Sequence, residues 1–473
     1  MSQKIIKLSP LFLAAAAAGF STQAFSAGFS LFEQGASGQG VAYAGAAAVG
    51  EDASTVYFNP AAMTRLSGQQ IVVAGHIVAP RSEYTDSGNS TAFDGTPLAS
   101  TNVDGAETGV IPNFYWAAAL DNGLHVGVGV NVPFGLATEY DAGWTGRYHA
   151  LKSELTTINV NPAIAWKMTD TVSVGFGISY QYVDVTLSNA IDSAAFCSGN
   201  LAPQIDAASG VPGTGAATCT GAGLGVGSGG DITRDSGVKL EGDDSSFGWN
   251  VGLLFDLTVK DRLGFAYRSA IKHDIEGNAT FTVDSALDAI IGTFPPPGNN
   301  LLQNSSLSTF AELPELFSIS YVRDINPNWS LLADYTWTGW GSLDTIEIIF
   351  AGNPPGATSS LDLEFQNTNR VSVGAHYKPG NKWIFRGGLA YDESPVRSDE
   401  QRSARVPDND RTWLSFGFGY EPSQSWSLDV GYSHLFVSDT GINNTSLSAS
   451  NATLVGSYEA SVDILSAGVN FNF

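Results

Sequence analysis

Apolar residues alternate with small or polar ones in segment after segment of this chain. Leu124, Val126, Val128, Val130 and Val132 interleave with His125, Gly127, Gly129 and Asn131. Val172, Val174, Phe176, Ile178, Tyr180 and Tyr182 do the same against Ser173, Gly175, Gly177, Ser179 and Gln181, and near the C-terminus Leu465, Ala467, Val469, Phe471 and Phe473 alternate with Ser466, Gly468, Asn470 and Asn472. Period two predicts strands with two unlike faces. One such segment fits a soluble sandwich as well as a membrane barrel, and the punctuation separates the two. Short turn signals at Asp121-Asn122-Gly123, Thr169-Asp170, Lys260-Asp261, Asn326-Pro327-Asn328, Pro379-Gly380-Asn381 and Glu421-Pro422-Ser423 alternate with long polar stretches, roughly 81–109, 136–152, 188–245, 283–307, 340–360, 392–409 and 438–455. Six turns and seven loops predict fourteen strands. An even strand count with every short turn at one end is the pattern of a transmembrane β-barrel of the outer membrane. Trp166, Trp329, Trp383 and Trp426 each fall within a few residues of a short turn, where an interfacial aromatic girdle belongs.

Composition narrows the field further. Only 14% of the 473 residues are charged, against about 25% in soluble domains, while glycine fills 53 positions and aromatics make up 11%. A hydrophobic share of 43% excludes intrinsic disorder. Beyond residue 26 no apolar run reaches the roughly 18 residues of a membrane helix. The net charge of −24 excludes nucleic acid as a partner, because binding it requires basic side chains to neutralise phosphates.

Lys4 and Lys7 precede the apolar stretch from Leu8 to Phe20, and Ala24-Phe25-Ser26 supplies small residues at a cleavage site. Residues 1–26 are therefore expected to be a secretory signal peptide, with Ala27 starting the mature chain; the apolar stretch is too short for the alternative, a membrane anchor. Cleavage removes two lysines and no acid, leaving −26. Cys197 and Cys219, the only cysteines, lie in one small-residue-rich loop, and in an exported protein one disulfide closing that loop is their expected use. No His lies near them to suggest a metal site, and no cofactor is expected. The six histidines are scattered and no Gly-x-Ser-x-Gly elbow occurs, so the chain is read as no enzyme.

Fourteen strands leave a lumen, since only about eight are filled by side chains alone. The segment 27–68 lacks strand alternation and is rich in glycine and alanine, with Phe29, Leu31, Phe32, Tyr57 and Phe58 too apolar for a solvated tail. It is expected to plug the bore. Pro133 lacks the N–H of a ladder residue and Gly135 tolerates unusual backbone angles, so the third strand should break there, with Pro162 removing a second donor next door. In a membrane the freed groups must face protein or water, which suits a plug residue such as Asn59 as partner.

Several motifs occur in order: Ala27-Gly28-Phe29, Glu51-Asp52-Ala53 leading to Asn59-Pro60-Ala61, Phe134-Gly135-Leu136-Ala137-Thr138-Glu139, Asp392-Glu393-Ser394-Pro395 and Pro407-Asp408-Asn409-Asp410-Arg411. Together they resemble the FadL family of outer-membrane long-chain fatty acid transporters, over the whole chain. The resemblance implies an all-β, fourteen-stranded antiparallel transmembrane barrel (69–473) with an N-terminal hatch (27–68) in its lumen. It further implies passive uptake by a monomer: loop capture of a long-chain fatty acid, an internal apolar pocket, and release sideways through a gap at the kinked third strand into outer-membrane lipid. Phe29 matches the hatch tip that contacts ligand, Asn59, Pro60 and Ala61 the motif beside the wall opening, Gly135 the glycine of the kink, and Asp392 an acidic position near the pocket. The family sets basic residues for the carboxylate headgroup near the end of the fifth strand and before the tenth, where this sequence has Asn189 and Leu361. Arg147, Lys239, Arg268 and Arg370 are then the candidate headgroup partners, since a guanidinium meets a carboxylate with two parallel hydrogen bonds. The alternative cargo is a neutral hydrophobic compound such as an aromatic hydrocarbon, held by apolar contact at about 0.8 kcal/mol per buried CH₂.

Overall fold

The computed structural model describes residues 28–294, 301–352, 356–380, 382–445, 448 and 450–473; the expected signal peptide, 1–26, and its expected cleavage site lie outside them. The alternating segments become fourteen wall strands: β1 (Gln69–Asp86), β2 (Gly109–Ala119), β3 (Leu124–Asn131 and Gly135–Glu139), β4 (Lys152–Lys167), β5 (Val172–Ile191), β6 (Ser236–Asp256) and β7 (Asp261–Arg268 and Ile271–Thr282), followed by β8 (Ser305–Leu313 and Leu316–Asn326), β9 (Trp329–Thr338 and Thr345–Phe350), β10 (Ala357–Asp362 and Thr368–Tyr377), β11 (Trp383–Asp392), β12 (Arg411–Ser423), β13 (Trp426–Val437) and β14 (Leu454–Asn472). Neighbours pair antiparallel, and β1 pairs with β14 from Gln70↔Asn472 to Asp86↔Gly456, which closes the cylinder. Each predicted short turn joins two of these strands.

Which face is buried is the reverse of a soluble protein's. On β5, Phe176, Ile178 and Tyr180 are exposed while Ser179 and Gln181 are buried; on β4, Ile158, Val160 and Ile164 are exposed while Asn159 and Asn161 are buried. The greasy face looks outward and the polar face lines the bore. Trp166, Trp329, Trp383 and Trp426 are all among the exposed side chains at the short-turn end. One polar stretch read as a loop, 340–360, is strand over 345–350 and 357–360, because Thr345↔Asp362 to Phe350↔Ala357 extend the β9–β10 hairpin. Its apolar residues Ile346, Ile348 and Phe350 alternate along the strand and face inward, the first two onto the apolar cavity described below.

The leading segment forms short helical turns at Ala36–Gln39, Ala46–Val49, Thr55–Phe58 and Pro60–Arg65. It bonds to strands all around the cylinder: Gln39 Nε2 donates to Ser433 Oγ on β13 (2.5 Å), Ala47 N to Ser320 Oγ on β8 (2.9 Å) and Asn59 Nδ2 to Leu253 O on β6 (3.0 Å). Such a set of contacts is reachable only from inside. Wall glycines make the room. A Cβ on Gly388 would sit 2.3 Å from the carbonyl carbon of Val41, and one on Gly264 2.0 Å from Ala47 O.

Candidate functional site

The wall is irregular at Pro133. Pairing of β2 with β3 runs from Ala119↔His125 to Phe114↔Val130, then stops and returns only as the single bridge Ala106↔Thr138. On the other side, β3 leaves β4 after Asn131↔Asn159 and rejoins it at Gly135↔Thr156. Thr157 fills that short gap, its Oγ1 accepting from Phe134 N (2.9 Å) and donating to Phe134 O (2.8 Å). Toward β2 the leading segment takes the place of the missing strand. Leu31 N donates to Pro133 O and Gly135 N to Phe29 O, both at 2.9 Å, around the antiparallel bridge Ser30↔Phe134. Gln34 Nε2 donates to Val132 O (2.8 Å), and Asn113 Nδ2 of β2 donates to Glu33 O (2.7 Å). Buried backbone groups left unpaired by the break would each cost about 1–3 kcal/mol, so the tip and the break hold each other in place.

These partners correct the expectation for Asn59. Its side chain donates to Ala47 O (2.6 Å) and Leu253 O (3.0 Å) and accepts from Ala61 N (3.0 Å), which fixes it on β6, away from Pro133. The Asn59-Pro60-Ala61 turn presses so close to β5 and β6 that a Cβ on Gly252 would lie 1.8 Å from Asn59 Oδ1, and one on Gly175 2.3 Å from Ala61 N. Pro162 does cost the wall a donor. The β4–β5 ladder skips Asn161 and Pro162, and Asn161 Nδ2 donates to Ile178 O (2.9 Å) instead.

Three of the sequence motifs converge on the tip. Gly28 N donates to Asp408 Oδ2 (2.9 Å), which also accepts from Ser394 Oγ (2.9 Å), while Asp408 Oδ1 meets the guanidinium of Arg411. Gly28 has φ +63°, and Trp340 fills the space its Cβ would need. The Phe29 ring packs edge-on against Trp340 (4.8 Å between centroids) and Phe134 (6.2 Å). Glu51, from a fourth motif, secures the rest of the segment with bonds to His376 (3.0 Å) and Arg386 (3.1 Å). Burial opposes its charge, yet His376 and Arg386 hold the carboxyl well below its ordinary range.

Above the tip lies an apolar cavity of about 110 Å³. Phe29, Leu136 and Leu155 form its wall next to the break, and Leu187, Leu313 and Leu361 line it too. A second, smaller cavity of about 50 Å³ touches Phe32, Tyr57 and Pro60 and carries Arg268 and Arg370. Arg268 lies over the Tyr57 ring (4.3 Å) and donates to Tyr57 O, whereas Arg370 lies over Phe32 and Trp413 and donates to Ala42 O. The other two candidate bases are elsewhere. Arg147 is bound to Asp235 (2.6 Å) in the loops, and Lys239 is exposed and paired with Glu241 (2.7 Å). Asp392 is buried at the end of β11 opposite Arg370 and Arg411, outside the lining of the apolar cavity. Cys197 and Cys219 are joined, with Cα atoms 5.9 Å apart, and are buried in an apolar cluster that the β5–β6 loop shares with the helix Ser285–Ile291 between β7 and β8.

A sequence profile described as outer membrane protein transport protein (OMPP1/FadL/TodX) matches residues 17–473. The chain belongs to this family. Members of the OMPP1/FadL/TodX family are outer-membrane transporters of hydrophobic compounds and not enzymes, and the greasy exterior described above is the surface such a protein turns to lipid. The long-chain fatty acid transport protein of Escherichia coli O6:H1 is 32% identical over 438 residues, covering 92% of either chain. Two solved structures share the fold: a Pseudomonas aeruginosa FadL homologue, with TM-score 0.80 and 23% identity over 94% of this chain and 100% of that one, and the Pseudomonas putida toluene transporter TodX, with TM-score 0.66 and 16% identity over 93% and 98%.

Two features of this FadL-family site escaped sequence reasoning. Leu31 and Gln34 act through backbone and amide bonds that no side-chain pattern announces. Arg405 lines the apolar cavity from the loop between β11 and β12. Its only signal was its place two residues before the Pro407–Arg411 motif.

Proposed function

We propose that this protein carries long-chain fatty acids passively into the outer membrane. In this reading the loops capture the ligand, its tail enters the apolar cavity above Phe29, and it leaves sideways between β2 and β3 when residues 28–34 withdraw. The observation that carries the reading is the coincidence of cavity and break: Phe29, Leu136 and Leu155 line the first, while Phe29 O, Leu31 N and Gln34 close the second. A ligand pushing on the Phe29 ring therefore pushes on the groups that seal the wall. Residues 27–68 act as the hatch. The motif Asn59-Pro60-Ala61 serves as its fixed anchor on β6, and Asp392 as part of the buried charge cluster behind the tip.

Uptake of oleate by cells that lack other fatty acid transporters tests this. Expression should raise uptake well above the empty-vector level, and equal rates would refute the proposal. A neutral aromatic cargo is the competing reading, favoured by Asn189 and Leu361 standing at the expected basic positions. Toluene uptake exceeding oleate uptake in the same cells would support it.

A further inference from the structure

Resting on the reading that the lumen takes a fatty acid, we propose that Arg405 binds the ligand's carboxylate and makes the apolar cavity selective for anionic over neutral lipids. Arg405 is 7% exposed. Its guanidinium donates only to neutral acceptors: Lys152 O (3.2 Å), Ser153 Oγ (3.1 Å), Ser188 O (3.3 Å) and Asn189 Oδ1 (3.1 Å). Among the described residues no carboxylate pairs with it. Arg147 is neutralised by Asp235, Arg386 by Glu51 and Asp429, and Arg411 by Asp408, while Arg370, buried without an ion pair, lies over Phe32 and Trp413 in the second cavity and not in this one. A guanidinium withdrawn from water without a countercharge is a standing demand for an anion. Burial lowers its pKa only to about 10, so it is charged at neutral pH.

The surroundings define which anion. Arg405 shares the cavity wall with Phe29, Leu136, Leu155, Leu187 and Leu313, so the ligand joins one negative group to a long apolar tail. The other ionisable residues of the lining are satisfied: Glu154 by Lys152 (3.0 Å), Glu241 by Lys239 (2.7 Å) and His273 by Asp244 (2.9 Å). Arg268 also lacks a carboxylate, but it lines the second cavity, over the Tyr57 ring. The two positions where the family resemblance sets basic residues meet at the same place. Asn189 accepts a hydrogen bond from Arg405, and Leu361 lines the cavity. The positive charge is thus supplied by the loop after β11 rather than by the wall strands, and Asn189 has become its positioning residue.

Trp340 touches Phe29, so quenching of tryptophan fluorescence by a brominated lipid reports occupancy. Purified full-length protein in detergent is titrated with 9,10-dibromostearate and with its methyl ester. Wild type should bind the acid at least about tenfold more tightly, the factor expected for a charge-assisted hydrogen bond. Arg405→Gln should bring that ratio near one by weakening the acid and leaving the ester unchanged. Arg405→Lys should retain part of the preference, and Asn189→Ala should lower it severalfold. Heat-resistant migration in gels verifies a folded barrel, and if Arg405→Gln does not fold the lysine and Asn189 variants decide. A wild-type ratio near one, or an unchanged ratio in Arg405→Gln, overturns the role of Arg405 while leaving lipid binding intact. Wild type that binds neither compound removes the fatty acid reading and this proposal with it.

Discussion

Strands β3 and β5 start from the same alternation of valine or isoleucine with glycine and serine, yet build different walls. β5 pairs with β6 without interruption over 20 residues, Val172↔Phe255 to Ile191↔Ser236, and the one gap in its other ladder, opposite Pro162, is bridged from within the wall by Asn161 Nδ2 donating to Ile178 O. β3 stops after Asn131, and its freed carbonyls and N–H are met by a segment that is not part of the wall. The contrast separates two uses of the leading segment. Against β5 and β6 the Asn59-Pro60-Ala61 turn adds bonds to a ladder already complete, so it can only anchor. Against β3 residues 29–34 complete a ladder that is otherwise open, so their departure changes the wall itself.

The strongest way to erase that difference is to give β3 an unbroken ladder. Pro133→Val combined with Gly135→Val restores one donor and two strand-forming side chains, and the new Cβ at 135 would press on Leu31 Cδ1, 3.0 Å away. We expect oleate uptake to fall at least about tenfold, toward the vector level, while dibromostearate still quenches the purified protein. Uptake at wild-type rates would show that the ligand does not pass this break.

A smaller change loosens the tip without repairing the strand. Gln34→Ala leaves Val132 O and Leu31 O without their side-chain donor, a loss of about 1–3 kcal/mol at a buried acceptor. Amide exchange at residues 29–34 and at Gly135 should accelerate roughly tenfold or more, with the β5–β6 ladder unaffected. Asn59→Ala is the matched change on the complete side of the wall. It removes the bonds to Ala47 O and Leu253 O, and uptake should drop only about two- to fivefold, with exchange at Gly135 near the wild-type rate. Equal effects of the two variants on Gly135 would dissolve the distinction between anchor and seal.

Much of this was legible before any coordinates. Strand number, turn placement, the greasy exterior and the break at Pro133 follow from period-two alternation, turn chemistry and proline's missing donor, all of which act within a few residues of sequence. The partner of the break was not legible. Asn59 looked suitable as a polar side chain, but backbone groups were free at the break and backbone groups of Phe29 and Leu31 met them; these carry no residue-specific signal. Arg405 was hidden for a different reason. A charge in a long polar loop reads as solvated, and only the inward fold of residues 393–410, pinned by Tyr140 Oη donating to Ala404 O (2.8 Å), carries it into an apolar cavity.

The most graded test of the seal lies in Glu33, whose backbone carbonyl is bound by Asn113 of β2 while no side chain pairs with either carboxylate oxygen among the described residues. Burial raises this carboxyl to about 7 from an ordinary value of 4.5, outweighing its own backbone N–H and the nearby charges of Arg370 and Arg411, while Asp392 adds to the rise. A folded-state pKa above the unfolded one means that the docked tip holds a proton that the released tip gives up. Docking is therefore at full strength below pH about 4.5 and weakens as pH rises through about 7, where the docked carboxylate becomes charged without a partner. Exchange at residues 29–34 should rise severalfold between pH 5 and 7.5 after correction for intrinsic rates, and Glu33→Gln should make it flat at the slow limit. The stretch of the β5–β6 ladder from Val172↔Phe255 to Ser179↔Gly248 has no acidic residue on either strand and should show no matching trend. A wild-type tip with the same corrected rate at both pH values would mean that Glu33 keeps its proton, or its charge, whether the wall is sealed or open.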